Sequence, residues 1–271
     1  MKYSIFTIMK KNIQYQNTSV HYSMYGKGNP VMLVHGFAEE SSVFNDQVNH
    51  LKENFLVIVP DLPGIGKSEM LQKENVSLVD YADILKAMID KENITGLTLI
   101  GHSMGGYITM AFAEKYPTML NGLGLFHSSA YADDAEKIAV RKKAIEFIKE
   151  NGTAAFLKTT IPGLFFNVDE SQKAIDDLIE IGNSFAPEVL VQQYNAMINR
   201  KDTTAVLSTF AKPILFIMGE HDKAVPIAQT LQQSHLPQIA YVHILRRTAH
   251  MGMIEEPMLV NNYLADFLQS V

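Results

Sequence analysis

The sequence contains no cysteine and no tryptophan among its 271 residues, and it has no long apolar run. Without cysteine the chain forms no disulfides and has neither thiolate metal sites nor a cysteine nucleophile. No segment approaches the roughly 18 consecutive apolar residues that a membrane-spanning helix requires. A catalytic nucleophile in this chain is therefore more readily a serine, because cysteine is absent. We also do not expect the chain to span a membrane.

An excess of positive charge is also missing. The formal net charge is -6, so no broad basic field attracts nucleic acid or an anionic membrane surface, and we expect neither as a partner. Residues 1–9, followed by Lys10 and Lys11, form too short an apolar stretch for a signal peptide and lack a small-residue cleavage site. We interpret the protein as cytoplasmic; the oligomeric state stays open.

Hydrophobic residues make up 47% of the chain and charged residues 19%, the balance of a globular protein. Apolar runs of strand length predict strands buried on both faces, as in a parallel sheet, at residues 31–35, 55–60, 97–100, 122–127, 212–218 and 240–245. Helical stretches at 78–90, 106–115 and 228–236 alternate with them, which predicts right-handed crossovers. Residues 12–16 and 19–25 predict a hairpin at the sheet edge.

One block breaks this alternation. From about residue 133 to about residue 202 no strand run occurs, while segments 136–149, 153–160, 171–181 and 187–199 carry helical spacing. Pro162-Gly163 and Ala186-Pro187 interrupt the block. We therefore predict a helical insertion at residues 131–204 in a core made of residues 1–130 and 205–271.

A candidate nucleophile lies in the segment Gly101-His102-Ser103-Met104-Gly105, between an apolar strand and a helical run. A nucleophile at such a strand-to-helix turn adopts a strained backbone, and small flanking residues let strand and helix pass closely. A Gly-x-Ser-x-Gly string alone also occurs by chance in glycine-bearing loops. The strand before it and the helix after it favour a functional Ser103.

A serine hydroxyl needs a base to take its proton and a carboxylate to orient that base. Asp222 follows the strand predicted at 212–218, and His250 follows the strand at 240–245, so both lie at carboxyl ends of strands, where sites in open α/β sheets form. Glu220 competes with Asp222 as the acid. His102 adjoins Ser103, but as a neighbour in a tight turn we interpret it as a packing residue or a polar support.

Acyl transfer also needs donors for the developing oxyanion. The loop after the strand at 31–35 contains Gly36 and Phe37, and Met104 follows the candidate nucleophile. We assign the backbone N–H groups of Phe37 and Met104 to this role.

From about Val20 to its end the chain resembles the α/β-hydrolase superfamily. The resemblance rests on His35-Gly36-Phe37, on Asp61-Leu62-Pro63-Gly64-Ile65-Gly66-Lys67-Ser68, on the Gly101–Gly105 turn, on the acid loop at 219–226 and on His250 with Glu255-Glu256-Pro257. The order Ser103, Asp222, His250 is the order of that fold. The resemblance implies a mostly parallel eight-stranded sheet with helices on both faces and an inserted α-helical cap. Ile65 and Ala249 depart from the commonest family pattern.

Carried over to this chain, the resemblance implies a serine hydrolase acting on a small or medium carboxylic ester, a lactone or a thioester, with no cofactor and no metal. Besides the triad Ser103, Asp222 and His250, it places substrate-pocket residues at strand ends and in the cap. These are Phe37, Met104, Phe126 and Val225, with Leu164, Phe165 and Phe166 from the cap, although the last three also fit a simple cap core.

Alternatives remain open at this level. A serine at the turn argues against the dehalogenases and epoxide hydrolases of the superfamily, which use aspartate there. Carbon–carbon bond hydrolases, perhydrolases and lyases share the same residues, because fold and triad do not determine the substrate. A ligand-sensing member that keeps an intact triad and signals through its cap is the alternative from another class.

Overall fold

The computed structural model describes residues 8–271. The segment before residue 8, on which the expectation of no signal peptide chiefly rests, lies outside the described residues, so a cytoplasmic location stays a prediction. Within residues 8–271, no helix combines the length and the apolar character needed to cross a bilayer.

One sheet of eight strands organises the molecule, in the order β1-β2-β4-β3-β5-β6-β7-β8. The strands are β1 (Met9–Tyr15), β2 (Thr18–Gly26), β3 (Asn29–Val34), β4 (Phe55–Pro60), β5 (Leu97–His102), β6 (Leu120–Phe126), β7 (Ile214–Gly219) and β8 (Ala240–Leu245). β1 pairs with β2 and β2 with β4 in antiparallel fashion, and all other pairs are parallel. The predicted edge hairpin and the mostly parallel sheet are confirmed.

Helices connect the strands and cover the sheet. They are α1 (Asn45–Leu51), α2 (Leu78–Lys91), α3 (Met104–Lys115), α4 (Ala135–Thr160), α5 (Gln172–Gly182), α6 (Pro187–Ile198), α7 (Thr204–Thr209), α8 (Ile227–Gln233), α9 (Gly252–Glu255) and α10 (Pro257–Gln269). α2 packs against α3, and α1 packs against α10. Because crossovers between parallel strands are right-handed, α1 and α2, which lead in opposite directions along the sheet, lie on opposite faces.

The central strands are the most buried part of the sheet. Every residue of β5 and of β7 is buried, as their continuous apolar runs predict for strands covered on both faces. Side-chain positions in such strands are therefore fixed by packing from both sides. The carboxyl ends of β5, β6, β7 and β8 consequently form a rigid edge on which loops carry the polar groups of the site.

The helical block lies between β6 and β7, as a cap inserted into the α/β core. Helix α4 packs against both α5 and α6. α4 contains one residue with non-helical angles, Gly152, at φ 80° and ψ 170°. Gln192 of α6 donates from Nε2 to the carbonyls of Leu71 (3.1 Å) and Lys73 (3.3 Å), which ties the cap to the loop that precedes α2.

Candidate active site

The turn between β5 and α3 holds Ser103 in a conformation that few non-glycine residues adopt, with φ 49° and ψ -115°. This turn depends on glycines because there is no space for a side chain. A Cβ on Gly101 would lie 2.1 Å from the backbone of Gly105, and a Cβ on Gly105 would lie 2.2 Å from the Val34 carbonyl oxygen. The close passage of strand and helix therefore explains the small residues on both sides of Ser103.

His250 and Asp222 meet at the ends of β8 and β7. The Nδ1 atom of His250 lies 2.7 Å from Oδ2 of Asp222, so this ring nitrogen carries a hydrogen and donates a hydrogen bond to the carboxylate. The tautomer that results leaves Nε2 of His250 as an acceptor, as a general base requires. His250 and Ser103 line the same cavity.

The carboxylate of Asp222 is buried and fully hydrogen-bonded. Its Oδ1 accepts from the backbone N–H groups of Ala224 and Val225, each at 2.8 Å. Burial alone would raise the pKa of Asp222, but the neighbouring His250 and His127 outweigh it and hold that pKa well below its ordinary value. Glu220, the alternative acid, instead lies toward the surface, 3.4 Å from Arg246.

The two N–H groups assigned to the oxyanion have no hydrogen-bond partner within residues 8–271. Met104 is the first residue of α3, where no helical acceptor exists for an N–H. Phe37 lines the cavity together with Ser103. The next residue, Ala38, has a φ of 55°, and its N–H donates to Oε1 of Gln193 at 3.3 Å. This contact joins the loop after β3 to cap helix α6.

A second histidine, which the sequence analysis did not identify, touches the carboxylate of Asp222. His127 follows β6 directly with a φ of 47°, and its Nδ1 lies 3.3 Å from Oδ2 of Asp222. Its Nε2 accepts from the N–H of Gly252 at 3.2 Å. Burial lowers the pKa of His127 to about 4, a shift that Asp222 only partly offsets. The ring is therefore neutral. Its position at a strand end beside β7 was the signal available in the sequence.

A buried charged pair lies behind His250. His102 is fully buried, with Nδ1 3.0 Å from Oε2 of Glu39 and Nε2 2.9 Å from the carbonyl oxygen of His250. Burial alone would lower the pKa of His102, but the adjacent Glu39 carboxylate raises it above its ordinary value. Both ring nitrogens face oxygen acceptors, so the ring is protonated and donates at each of them. No local sequence pattern connects Glu39 to His102, 63 residues away.

The cavity at this site has a volume of about 510 Å³, within the usual range for small-molecule pockets. Phe37, Leu164 and Val225, three of the predicted pocket residues, line it. The cap reaches the site through Leu164, whose carbonyl oxygen accepts from the N–H of His250 at 2.9 Å.

The other predicted pocket residues do not line this cavity, contrary to expectation. The side chains of Phe126, Phe165 and Met104 are buried in the hydrophobic core. Phe166 points the other way and stacks on the ring of His221, with ring centroids 4.3 Å apart. The apolar character of these residues could not reveal whether each side chain faces the cavity or the hydrophobic core.

Within the part of the chain that the structure describes, one group of side chains has the spacing of metal ligands: His127, Asp222 and His250, with ligand atoms within 4.8 Å of one another. The 2.7 Å separation of His250 from Asp222 is a hydrogen bond and leaves no space for an ion between them. Hydrogen bonds from the two histidines to Asp222 account for the close spacing of these side chains.

The strand order, the turn after the fifth strand and the chain order of Ser103, Asp222 and His250 together define the α/β-hydrolase fold. The family model described as the alpha/beta hydrolase fold matches residues 29–140. The chain is 26% identical to the uncharacterized hydrolase YugF of Bacillus subtilis, over 97% of each chain.

Solved structures agree with this fold. A thermophilic esterase from Thermogutta terrifontis, solved with malate bound, superposes with a TM-score of 0.89 at 26% identity, over 97% of this chain and 98% of the esterase. The enol-lactonase from Burkholderia xenovorans LB400 gives a TM-score of 0.88 at 20% identity, over 96% and 100% of the two chains. The chain therefore has the α/β-hydrolase fold.

Proposed function

We propose that the protein is a serine hydrolase that cleaves small or medium carboxylic esters, or the related lactones and thioesters, through an acyl-enzyme on Ser103. The observation that carries the proposal is the strained Ser103, which shares a cavity with His250, while His250 donates from Nδ1 to the buried Asp222. An esterase at 26% identity supports the same class of reaction.

In this reaction Ser103 Oγ attacks the acyl carbonyl while His250 Nε2 takes its proton. The N–H groups of Phe37 and Met104 bind the oxyanion, and His250 then returns the proton to the leaving alcohol. Water, deprotonated by His250, attacks the acyl-enzyme and releases the acid. Asp222, held by His127, Ala224 and Val225, keeps the His250 ring in the required tautomer.

A p-nitrophenyl ester series from acetate to octanoate tests the proposal. The wild type is expected to hydrolyse the shorter esters, and Ser103→Ala to lower kcat by about a thousandfold or more, since it removes the nucleophile. Ser270→Ala, at the end of the last helix, is the matched control and should retain activity. If the folded wild type hydrolyses no ester above the buffer rate, the proposal is wrong, and the result favours the ligand-sensing alternative.

A further inference from the structure

One charged side chain lies inside the mostly apolar wall of the cavity. Arg141 of α4 lines the same cavity as Ser103, and its side chain is 13% exposed. The aromatic wall around it includes Tyr107, Phe156 and Tyr194, and the Arg141 guanidinium lies 5.6 Å from the centre of the Tyr194 ring. A guanidinium stays charged in such a site.

The countercharge of Arg141 is shared with a second arginine. Its Nε donates to Oδ2 of Asp133 at 2.6 Å, and NH1 of Arg200 lies 2.8 Å from Oδ1 of the same carboxylate. The Asp133 side chain is fully buried. Two guanidinium groups around one carboxylate leave this cluster with a net charge of one positive unit.

The two arginines differ in how their donors are used. Arg200 donates further to the carbonyls of Tyr131 (3.1 Å) and Met197 (3.2 Å) and stacks over Tyr107. Arg141 makes a single hydrogen bond within residues 8–271, from Nε. A guanidinium has five N–H donors, so both terminal nitrogens of Arg141 are free to bind a ligand in the cavity.

The other charged groups around the cavity do not neutralise Arg141. Glu39 is paired with His102 (3.0 Å), and the Lys137 amine donates to the carbonyl of Ala224 at 2.9 Å. Asp134, Glu136 and Lys223 also line the cavity but are exposed at its rim. Arg141 is thus the inner cation of a mostly apolar wall, and because it shares the single charge of Asp133 with Arg200, an anion in the cavity would lower the cost of burying it.

The geometry points to a carboxylate-binding subsite at Arg141. On the proposed function, which this inference extends, the substrates are esters or lactones that carry a second, free carboxylate, such as hemi-esters of dicarboxylic acids. The carboxylate pairs with the terminal nitrogens of Arg141, whose planar fork suits two parallel hydrogen bonds. A monoanion matches the single unit of net charge, whereas a phosphate dianion would leave excess negative charge near Asp134 and Glu136.

A matched pair of substrates tests this subsite. Hydrolysis of monomethyl adipate and of methyl hexanoate, which has the same acyl chain length but no charge, is followed by acid release at constant pH. The wild type should prefer monomethyl adipate by roughly tenfold or more in kcat/KM, the range that a charge-assisted hydrogen bond supplies. Arg141→Gln should remove this preference, chiefly through a higher KM, and Arg141→Lys should restore part of it. Lys142→Gln, exposed on the same helix, should leave the preference intact.

Binding without turnover separates this inference from the proposed function. Calorimetry with Ser103→Ala should show tighter binding of monomethyl adipate than of methyl hexanoate. Adding Arg141→Gln to this variant should abolish the difference in affinity. Binding of this kind without hydrolysis by the wild type would support the subsite and contradict the hydrolase proposal. Equal losses on both substrates in Arg141→Gln, or equal binding of the two by Ser103→Ala, would instead show that Arg141 only holds α4 against Asp133.

Discussion

His102 and Glu39 are a buried charged pair, and the pair supports the backbone of His250 rather than its ring nitrogens. The hydrogen bond from the His102 ring to the His250 carbonyl oxygen holds the loop after β8 in place. The Glu39 carboxylate also accepts from the N–H of Gly36 at 2.8 Å, in the loop that carries Phe37. One carboxylate therefore connects, through His102, the loop that carries Phe37 to the loop that carries His250.

Removing the charge of Glu39 should disturb both loops. Glu39→Gln leaves the His102 cation buried without its partner, and we expect the free energy of unfolding to fall by about 3 to 5 kcal/mol. We also expect kcat on esters to fall roughly tenfold, because a displacement of His250 misaligns the proton transfer. Urea unfolding and ester kinetics measure the two effects, with the exposed Glu53→Gln as control. A variant within 0.5 kcal/mol of wild type, by the usual tolerance for surface changes, would contradict this role.

Among the elements, α4 shows how a glycine shapes the cap. Gly152 has φ 80° and ψ 170°, angles that only glycine adopts without strain. Both helical segments contribute to the cavity, Arg141 from the first and Phe156 from the second. The sequence predicted separate segments at 136–149 and 153–160, so this break was visible as an interruption of helical spacing.

Gly152→Ala should destabilise the cap through backbone strain alone, because no atom lies within 4 Å of the added Cβ. We expect a loss of about 1 to 3 kcal/mol in the free energy of unfolding. Gly163→Ala is the matched control, since that position is equally open but lacks a positive φ. Thermal unfolding of the two variants should show a lower Tm for Gly152→Ala alone, and equal Tm values would refute the strain argument.

Other elements show where sequence patterns were and were not sufficient. The run at residues 55–60 matches β4 as observed, whereas β5 continues two residues beyond the predicted 97–100, to His102. Helix α10 was not predicted, although its buried Val260, Leu264 and Phe267 have helical spacing. Contacts between distant segments, such as Glu39 with His102, depend on how the loops pack and have no local signal.

For the molecule as a whole, the predicted strands indicated where the site lies, whereas the packing of the cap determines the shape of the cavity. Ser103, Asp222 and His250 follow β5, β7 and β8, so strand runs alone indicated that they meet at one edge. The pocket was harder to predict, because Leu164 faces the cavity while Phe165 and Phe166 do not. The side of the cap that faces the sheet is set by its packing and by the hydrogen bond from His250 to Leu164.

Buried histidines should also make the stability of the whole fold depend on pH. Burial lowers the pKa of His127 to about 4 from 6.5, so the unfolded chain binds a proton below pH 6.5 that the folded protein excludes. The contribution of His127 to the free energy of unfolding is fully present above pH 6.5 and declines as the pH falls toward 4. Between pH 7 and pH 5 this loss amounts to about 2 kcal/mol.

Urea unfolding of wild type and His127→Gln at pH 7 and pH 5 measures this dependence. The variant should lose less stability over this interval than wild type, by about 2 kcal/mol. The exposed His50→Gln is the control and should follow the wild type. Parallel losses in His127→Gln and wild type would show that His127 does not stay neutral in the folded protein.

Treating the purified protein with a fluorophosphonate, measuring its intact mass and then mapping the labelled peptide shows whether Ser103 is an activated nucleophile. We predict a single adduct on Ser103 in the wild type, no adduct in Ser103→Ala and strongly slowed labelling in His250→Ala. A folded wild type that stays unlabelled, or an adduct that persists in Ser103→Ala, would show that Ser103 is not the activated nucleophile.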